Sequence, residues 1–254
     1  MAYTISLANQ KGGVGKTTSA VNCAAAVGAQ GKRVLLVDLD PQGNATSGVG
    51  VQRKKVKVSS YDLMIGRAKA SEAIIDTGFK NLHVIPSEMS LAGAEFELID
   101  TENRELQLKS ALEEIQDNYD YIFVDCPPSL GILSINALAA SSGVIIPMQC
   151  EFYSLEGLSQ LMLSIKQVKK LYNHSLEITG ILITMFNGRL NLSLQVLDEL
   201  KKYYADKLFK TGVVRNVKLS EAPSYGEPII YYDKHSKGAQ AYIDIAKEII
   251  ERTI

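Results

Sequence analysis

Lys11-Gly12-Gly13-Val14-Gly15-Lys16-Thr17-Thr18 follows an apolar run, Tyr3 to Ala8, and opens a stretch rich in alanine. Strand, glycine-rich loop and helix in that order are the context of a phosphate-binding loop. The glycines at 12, 13 and 15 let the backbone bend until several N–H groups face one anion, and the helix N-terminus adds the positive end of its dipole. In this pattern the Lys16 ammonium meets the β- and γ-phosphates of a nucleotide and the Thr17 hydroxyl holds Mg²⁺, with Val14 and Thr18 inside the same cradle. Lys11 is a second lysine that the arithmetic does not need.

Outward from this loop, short apolar runs recur at Arg33 to Val37, Leu82 to Ile85, Tyr121 to Val124, Gly143 to Pro147 and Ile178 to Thr184. Helical spacing lies between and after them, in Leu155, Leu158, Met162, Ile165 and Val168, in Leu190, Leu194, Leu197 and Tyr204, and in Tyr242, Ile245, Ala246 and Ile249. Strands apolar on both faces and separated by helices predict an α/β fold, a mostly parallel twisted sheet with helices on both faces. The 254 residues, 46% of them apolar, are enough for one such domain spanning 1–254. No run reaches membrane length, and the first strand begins almost at Met1, so a cytosolic protein is expected. Cys23, Cys126 and Cys150 lack C-x-x-C spacing and read as reduced, mostly buried thiols. The net charge of −1 gives no global pull toward nucleic acid, so DNA binding needs a local patch or an oligomer. The basic run Arg53, Lys54, Lys55 and Lys57 reads most simply as a solvated loop.

Two further segments belong with the phosphate loop. The second strand ends in Asp38-Leu39-Asp40-Pro41-Gln42-Gly43-Asn44, at the carboxyl edge where ligands of parallel sheets sit. There Asp40 is expected to orient the attacking water and Asp38 to stand nearer Mg²⁺. The run Tyr121-Ile122-Phe123-Val124-Asp125 has the form of a Walker B strand, which assigns Asp125 to Mg²⁺ through a water. Cys126-Pro127-Pro128-Ser129-Leu130-Gly131 then restricts the backbone and releases it at glycine, as a γ-phosphate sensor would.

Taken together, the loop at Lys11, the segment Leu36-Val-Asp-Leu-Asp-Pro-Gln-Gly-Asn and the segment Val124-Asp-Cys-Pro-Pro-Ser-Leu-Gly resemble the ParA/MinD family of deviant Walker A ATPases. Glu151-Phe-Tyr-Ser-Leu-Glu-Gly, Thr184-Met-Phe-Asn-Gly-Arg and Arg215-Asn-Val-Lys-Leu-Ser-Glu-Ala-Pro-Ser-Tyr-Gly are similar to its short chromosomal ParA (Soj) branch. The resemblance runs essentially end to end. It implies an ATP- and Mg²⁺-dependent hydrolase that forms a homodimer around ATP, with Lys11 reaching across to the other copy's phosphates and Gly12 at the dimer face. It places Pro127 in the switch, Asn187 and Asn216 near the adenine, and Glu151 as a candidate contact across the dimer. The family usually carries aspartate at position 187 and proline at position 214, where this chain has Asn187 and Val214. The same resemblance implies non-specific DNA binding through Arg189, Lys218 and Arg215, a nucleoid location, and a ParB/Spo0J-type partner in chromosome or plasmid partition.

The competing readings are a MinD-like membrane-associated ATPase and a metabolic P-loop ligase. A membrane attachment would need a terminal helix with a broad apolar face and basic flanks. The last helix instead carries Asp244, Lys247, Glu248, Glu251 and Arg252 beside a narrow apolar stripe, which suits docking onto its own sheet, so no membrane partner is expected. An iron–sulfur carrier would need paired cluster ligands, but Cys126 adjoins the Walker B acid and Cys150 follows a separate strand.

Overall fold

All six strand candidates form strands, and a seventh joins them at the edge. The computed structural model describes residues 1–253. Its strands are β1 (Tyr3–Leu7), β2 (Val34–Asp38), β3 (Ile75–Asp76), β4 (Leu82–Ile85), β5 (Tyr121–Asp125), β6 (Gly143–Met148) and β7 (Glu177–Ile183). They make one sheet in the order β3-β4-β2-β5-β1-β6-β7, parallel throughout except for β3, which runs antiparallel to β4. β3 has two residues, too short to carry a period, so no alternation announces it.

Both faces are covered, and alternation along each strand decides what faces where. Ile5, Leu7, Val34, Leu36, Tyr121 and Phe123 share one core with α1 (Lys16–Ala29). Leu35, Val37, Ile122, Val124, Ile146 and Ile181 share the other, against α2 (Ile132–Ala140), α3 (Ser154–Leu171) and α4 (Asn191–Tyr204). The α1 sequence is nearly all small residues, Ala20 and Ala24 to Ala26 among them, so it lies close to the sheet and fixes the loop that precedes it.

The last helix, α5 (Lys237–Arg252), packs beside α1 on the first face and buries Ala239, Tyr242, Ile245, Ala246 and Ile249. The Tyr242 hydroxyl meets Ser19 at 3.0 Å. Glu248 and Arg252 pair at 2.7 Å, and Arg252 also donates to the carbonyls of Thr179 and Leu208 at 2.8 and 2.6 Å. The apolar stripe is thus committed to the protein's own core, at roughly 1.5–3 kcal/mol per large buried side chain. Among the described residues no helix is long and apolar enough to cross a membrane.

Candidate functional site

Register brings the acidic strand ends together at the phosphate loop. Leu7, Asp125 and Asp38 are Cα partners across β1, β5 and β2, so both aspartates sit beside the point where the chain leaves β1 for residues 8–15. Gly13 and Gly15 adopt φ of +72° and +86°, a region that a β-carbon disfavours, and Gly15 turns the chain directly into α1. Three side chains from the neighbouring strand ends brace the loop. Asn9 accepts from the Lys11 N–H at 3.0 Å and donates to the Pro147 carbonyl at 2.8 Å. Gln149 donates to the Gly13 carbonyl at 2.9 Å, and the Thr184 hydroxyl to the Val14 carbonyl at 2.7 Å. With its carbonyls held this way, the N–H groups of Gly12, Gly13 and Gly15 have no hydrogen-bond acceptor among the described residues. Sequence reasoning gave these three no role: Asn9 and Gln149 belong to no motif, and Thr184 heads the segment Thr184-Met-Phe-Asn-Gly-Arg without a function of its own.

The two lysines of the loop part company. Lys16 is 6% exposed; its ammonium donates to the Lys11 carbonyl at 2.9 Å. Burial lowers its pKa, against the opposing pull of Asp125, Cys126 and Asp40. Lys11 lies at the surface, with its ammonium on the Glu151 carboxylate of the same chain. Their side chains are 41% and 51% exposed, which makes the pair a solvated one. Gly12 beside it faces open space, with no heavy atom within 4 Å of where a β-carbon would stand. Phe152 and Tyr153, next in sequence to Glu151, are 70% and 71% exposed.

The three carboxylates are in different states. Asp38 is fully buried and accepts from the Thr46 hydroxyl and Thr46 N–H, both at 2.7 Å, and from the Asp40 N–H at 3.2 Å. Burial raises its pKa to about 6, with these hydrogen bonds working against the rise. Asp38 therefore anchors the loop that follows β2, through Thr46, a partner the sequence did not single out. Asp40 is 8% exposed and accepts from the Gln42 N–H at 2.9 Å. Asp125 is fully buried, and neither carboxylate oxygen has a hydrogen-bond partner of ordinary geometry among the described residues. Burial, then the Asp38 charge, pushes its pKa well up, and the nearby Thr17 hydroxyl and Lys16 ammonium only temper this. A dry carboxylate without donors is unfavourable alone and suited to a cation or its water. Among the described residues no three His, Cys, Asp or Glu side chains converge as a cage. The donor set is Thr17 and Asp125, which fits Mg²⁺ that takes its other ligands from phosphate and water.

After Asp125 the chain turns through Pro127, buried, and Pro128, exposed, before Gly131 opens α2. Burial pushes the Cys126 thiol up to about 12 and the Cys150 thiol up to about 11; all three cysteines are buried and unpaired. Neither of these two is poised as a thiolate ligand.

A cavity of about 270 Å³ adjoins the loop, with Thr18, Met185, Val214, Arg215, Asn216 and Pro223 in its wall. Asn216 is in this wall; its side-chain oxygen accepts from the Lys218 N–H at 2.8 Å, capping the short helix Val217–Glu221. Asn187 does not line this cavity. The chain turns at Met185, φ +50°, and Asn187 lies on the surface, where its side-chain oxygen accepts from the Arg189 N–H at 3.1 Å. Met185 and Val214 take the wall positions instead.

The cation candidates share one edge. Phe186 pairs with Val214 in a parallel bridge, setting the loop that carries Arg189 beside the loop that carries Arg215. Both arginines are exposed, and neither has an ion-pair partner among the described residues. Lys218 is exposed but answered by Glu221 at 2.7 Å and by the Tyr232 ring, 5.7 Å to its centroid.

The sequence model of a family described as an AAA domain matches residues 2–178. The chain is 55% identical to the sporulation initiation inhibitor protein Soj of Bacillus subtilis, over 98% of each chain. It is 48% identical to the chromosome-partitioning ATPase Soj of Treponema pallidum, over 99% of this chain and 98% of that one. Its structure superposes with a TM-score of 0.86 on a cobyrinic acid a,c-diamide synthase of Mycobacterium smegmatis with bound ADP and magnesium, 35% identical, covering 99% and 95%.

Proposed function

This chain belongs to the ParA/MinD family of P-loop ATPases, with Soj proteins among its relatives, and from that premise we propose that it is an ATP-dependent dimerising switch of chromosome or plasmid partition. It uses ATP and Mg²⁺. As the ATP dimer it binds DNA without sequence preference, which puts it on the nucleoid, and a ParB/Spo0J-type partner stimulates its hydrolysis. The observation that carries this reading is the division between the two loop lysines: Lys16 is buried toward its own site, whereas Lys11 is solvated, held by one exposed ion pair beside an open Gly12. Such a pair is worth about 0–1 kcal/mol, so a second copy can draw Lys11 away at little cost. The exposed Phe152 and Tyr153 offer apolar area at the same face.

The residues then divide the work. The N–H groups of residues 12–18 and the start of α1 hold the phosphates, with Lys16 against the β- and γ-oxygens. Thr17 and Asp125 would hold Mg²⁺, which neutralises charge on the β- and γ-phosphates when bound. Asp38 keeps the loop after β2 closed, and Asp40 accepts a hydrogen bond from the attacking water and aims it. Lys11 from the other copy supplies a cation where charge develops, the kind of contribution worth about 10³ to 10⁵ in rate for arginine fingers. Arg189 and Arg215, doubled by the dimer, meet DNA phosphates, with Lys218 a weaker third because Glu221 opposes it. Asn216 reaches the adenine from the cavity wall.

The mycobacterial structure's description as an amide-forming synthase favours a second reading, a ligase. The higher identity of the partition relatives and the surface position of Lys11 favour the switch. ATP turnover measured with DNA and a candidate ParB, separately and together, tests it. The switch gives synergy between the two; turnover indifferent to both, but dependent on a small carboxylate, would establish the ligase.

A further inference from the structure

Arg53 opens the basic run that the sequence leaves as a solvated loop, and the structure separates it from the lysines that follow. Residues Arg53–Lys55 form a single exposed turn. Lys54, Lys55 and Lys57 have no side-chain hydrogen bond or ion pair among the described residues, whereas the Arg53 guanidinium folds back onto the loop after β2. Its Nη1 donates to the Gln42 carbonyl, and its Nε donates to the Ser47 hydroxyl at 3.2 Å. Ser47 in turn donates to the Gly43 carbonyl at 3.2 Å. The arginine stem lies directly over Gly43: a β-carbon there would stand 2.9 Å from the Arg53 Cδ, and the backbone has φ +60°.

This is the turn that sets Asp40. The Gln42 N–H donates to the Asp40 side chain at 2.9 Å, and the Gly43 N–H donates to the Asp40 carbonyl at 2.9 Å. One peptide residue, Gln42, therefore joins the two groups: its N–H holds the Asp40 carboxylate and its carbonyl is held by Arg53. The short helix that follows, Asn44–Gly48, has no side-chain cap at Gly43; Asp38 holds it further on, at Thr46, and Arg53 is the side chain that holds the Gln42 carbonyl. We propose that Arg53 is a positioning residue for Asp40, fixing through the Gln42 peptide the direction in which that carboxylate meets the attacking water. This rests on the reading of Asp40 as the water-orienting group. Two acceptors at a fixed angle suit a planar guanidinium, and a lysine ammonium can satisfy one of them.

The test is steady-state ATP turnover in the presence of DNA, together with affinity for a non-hydrolysable ATP analogue, in Arg53→Ala, Arg53→Lys, Asp40→Ala and the control Lys54→Ala/Lys55→Ala. Misplacement of a reacting group by about 1 Å costs on the order of 10²-fold. Arg53→Ala should therefore lower kcat by roughly 10- to 100-fold while analogue affinity stays within about twofold, and Arg53→Lys should recover part of the loss. The control should turn over as the parent does. An unchanged kcat in Arg53→Ala overturns the proposal, as does an equal loss in the control, which would make the effect one of general charge. A kcat loss that tracks lost analogue affinity overturns it too. Normal turnover in Asp40→Ala would instead remove the reading beneath it, and the proposal with it. Loss in Asp40→Ala without loss in Arg53→Ala would remove the Arg53 assignment alone.

Discussion

Asp125→Asn should make the nucleotide-free protein more stable and its nucleotide complex weaker. In the parent, a fully buried carboxylate lacks a hydrogen-bond partner of ordinary geometry, and burial followed by the Asp38 charge disfavours its ionised form, tempered by the nearby Thr17 hydroxyl. An uncompensated buried group of this kind costs about 1–3 kcal/mol. The substitution removes the charge but also removes a carboxylate that attracts Lys16, and the amide it introduces is itself desolvated. The lower end of the range, about 1 kcal/mol, is therefore expected, or roughly 2–4 °C in Tm for a chain of this length. The pH dependence has a defined sign. A carboxyl group whose pKa is higher folded than unfolded contributes stability below the unfolded value, and loses it as pH rises through the folded value. The parent should thus lose stability upward from about pH 4, Asp38 contributing up to about pH 6 and Asp125 adding to the loss in the same direction, and the Tm gain of the variant should grow with pH. With ATP and Mg²⁺ present the order reverses. Ligand at one hundred times its Kd stabilises the parent by about 2.7 kcal/mol, and the Mg²⁺-dependent share of that shift should vanish in the variant. Thermal unfolding from pH 5 to 8, with and without Mg²⁺ and ATP, measures all of this. A variant less stable than the parent without nucleotide, or one that keeps the full Mg²⁺-dependent shift, would refute the reasoning.

Gly12→Val should leave the monomer's stability within about 0.5 kcal/mol, because no atom of its own chain stands near the new side chain, yet abolish ATP-dependent dimers. Light scattering with ATP decides it, and a normal dimer refutes the placement of Gly12 at the dimer face. Arg189→Glu should still dimerise but lose DNA retention, and the slope of log affinity against log salt should fall by about 0.9 for each phosphate contact removed, hence by about 2 per dimer. An unchanged slope removes that site. Asn216→Asp should keep the helix cap and the parent's Tm, since the accepting oxygen is retained, while losing amide donors toward the base and therefore discrimination between ATP and GTP. Asn216→Ala should in addition lower stability by about 1 kcal/mol.

The fold was legible where the chain repeats a physical pattern. β2 and β5 are apolar on both faces because both are covered, and that run of β-formers is visible without coordinates. β3 escaped because two residues have no period, and Leu190 was counted into a helix that begins one residue later, since an apolar residue at the start of α4 continues the spacing. In the site, residues that face the phosphates come as a motif and were readable. Those that hold the motif in place arrive singly: Asn9, Gln149 and Thr184 bind backbone groups of the loop from the ends of three strands, and Thr46 binds the Asp38 carboxylate from the short helix after β2. Asn187 lies outside the cavity wall, where its side chain accepts from the N–H two residues on after the turn at Met185, a local geometry the sequence does not display. The basic run Arg53 to Lys57 was uniform in sequence and is divided in space, because only Arg53 has carbonyl and hydroxyl acceptors in reach.

On the proposed switch, the charges assign nucleotide binding and hydrolysis to different numbers of chains. Lys16 and Asp125 are both buried in one chain, and burial shifts each toward its neutral form, the lysine down and the carboxyl up. A polyanion with its divalent cation opposes both shifts at once, phosphate facing Lys16 and Mg²⁺ facing Asp125, so the monomer already contains the full electrostatic reason to bind the nucleotide. Lys11 has no such constraint. It is solvated and paired with Glu151, and nothing in its own chain draws it inward. A cation gains most when it enters a site from which water has been excluded, and the proposed dimer, with its second copy laid against the open face at Gly12, would exclude it. The monomer should therefore bind ATP with Mg²⁺ and turn it over slowly, and the step that changes with dimerisation should be kcat rather than nucleotide affinity. That separation is what a switch requires, because a state that forms before hydrolysis can be held until a partner acts on it.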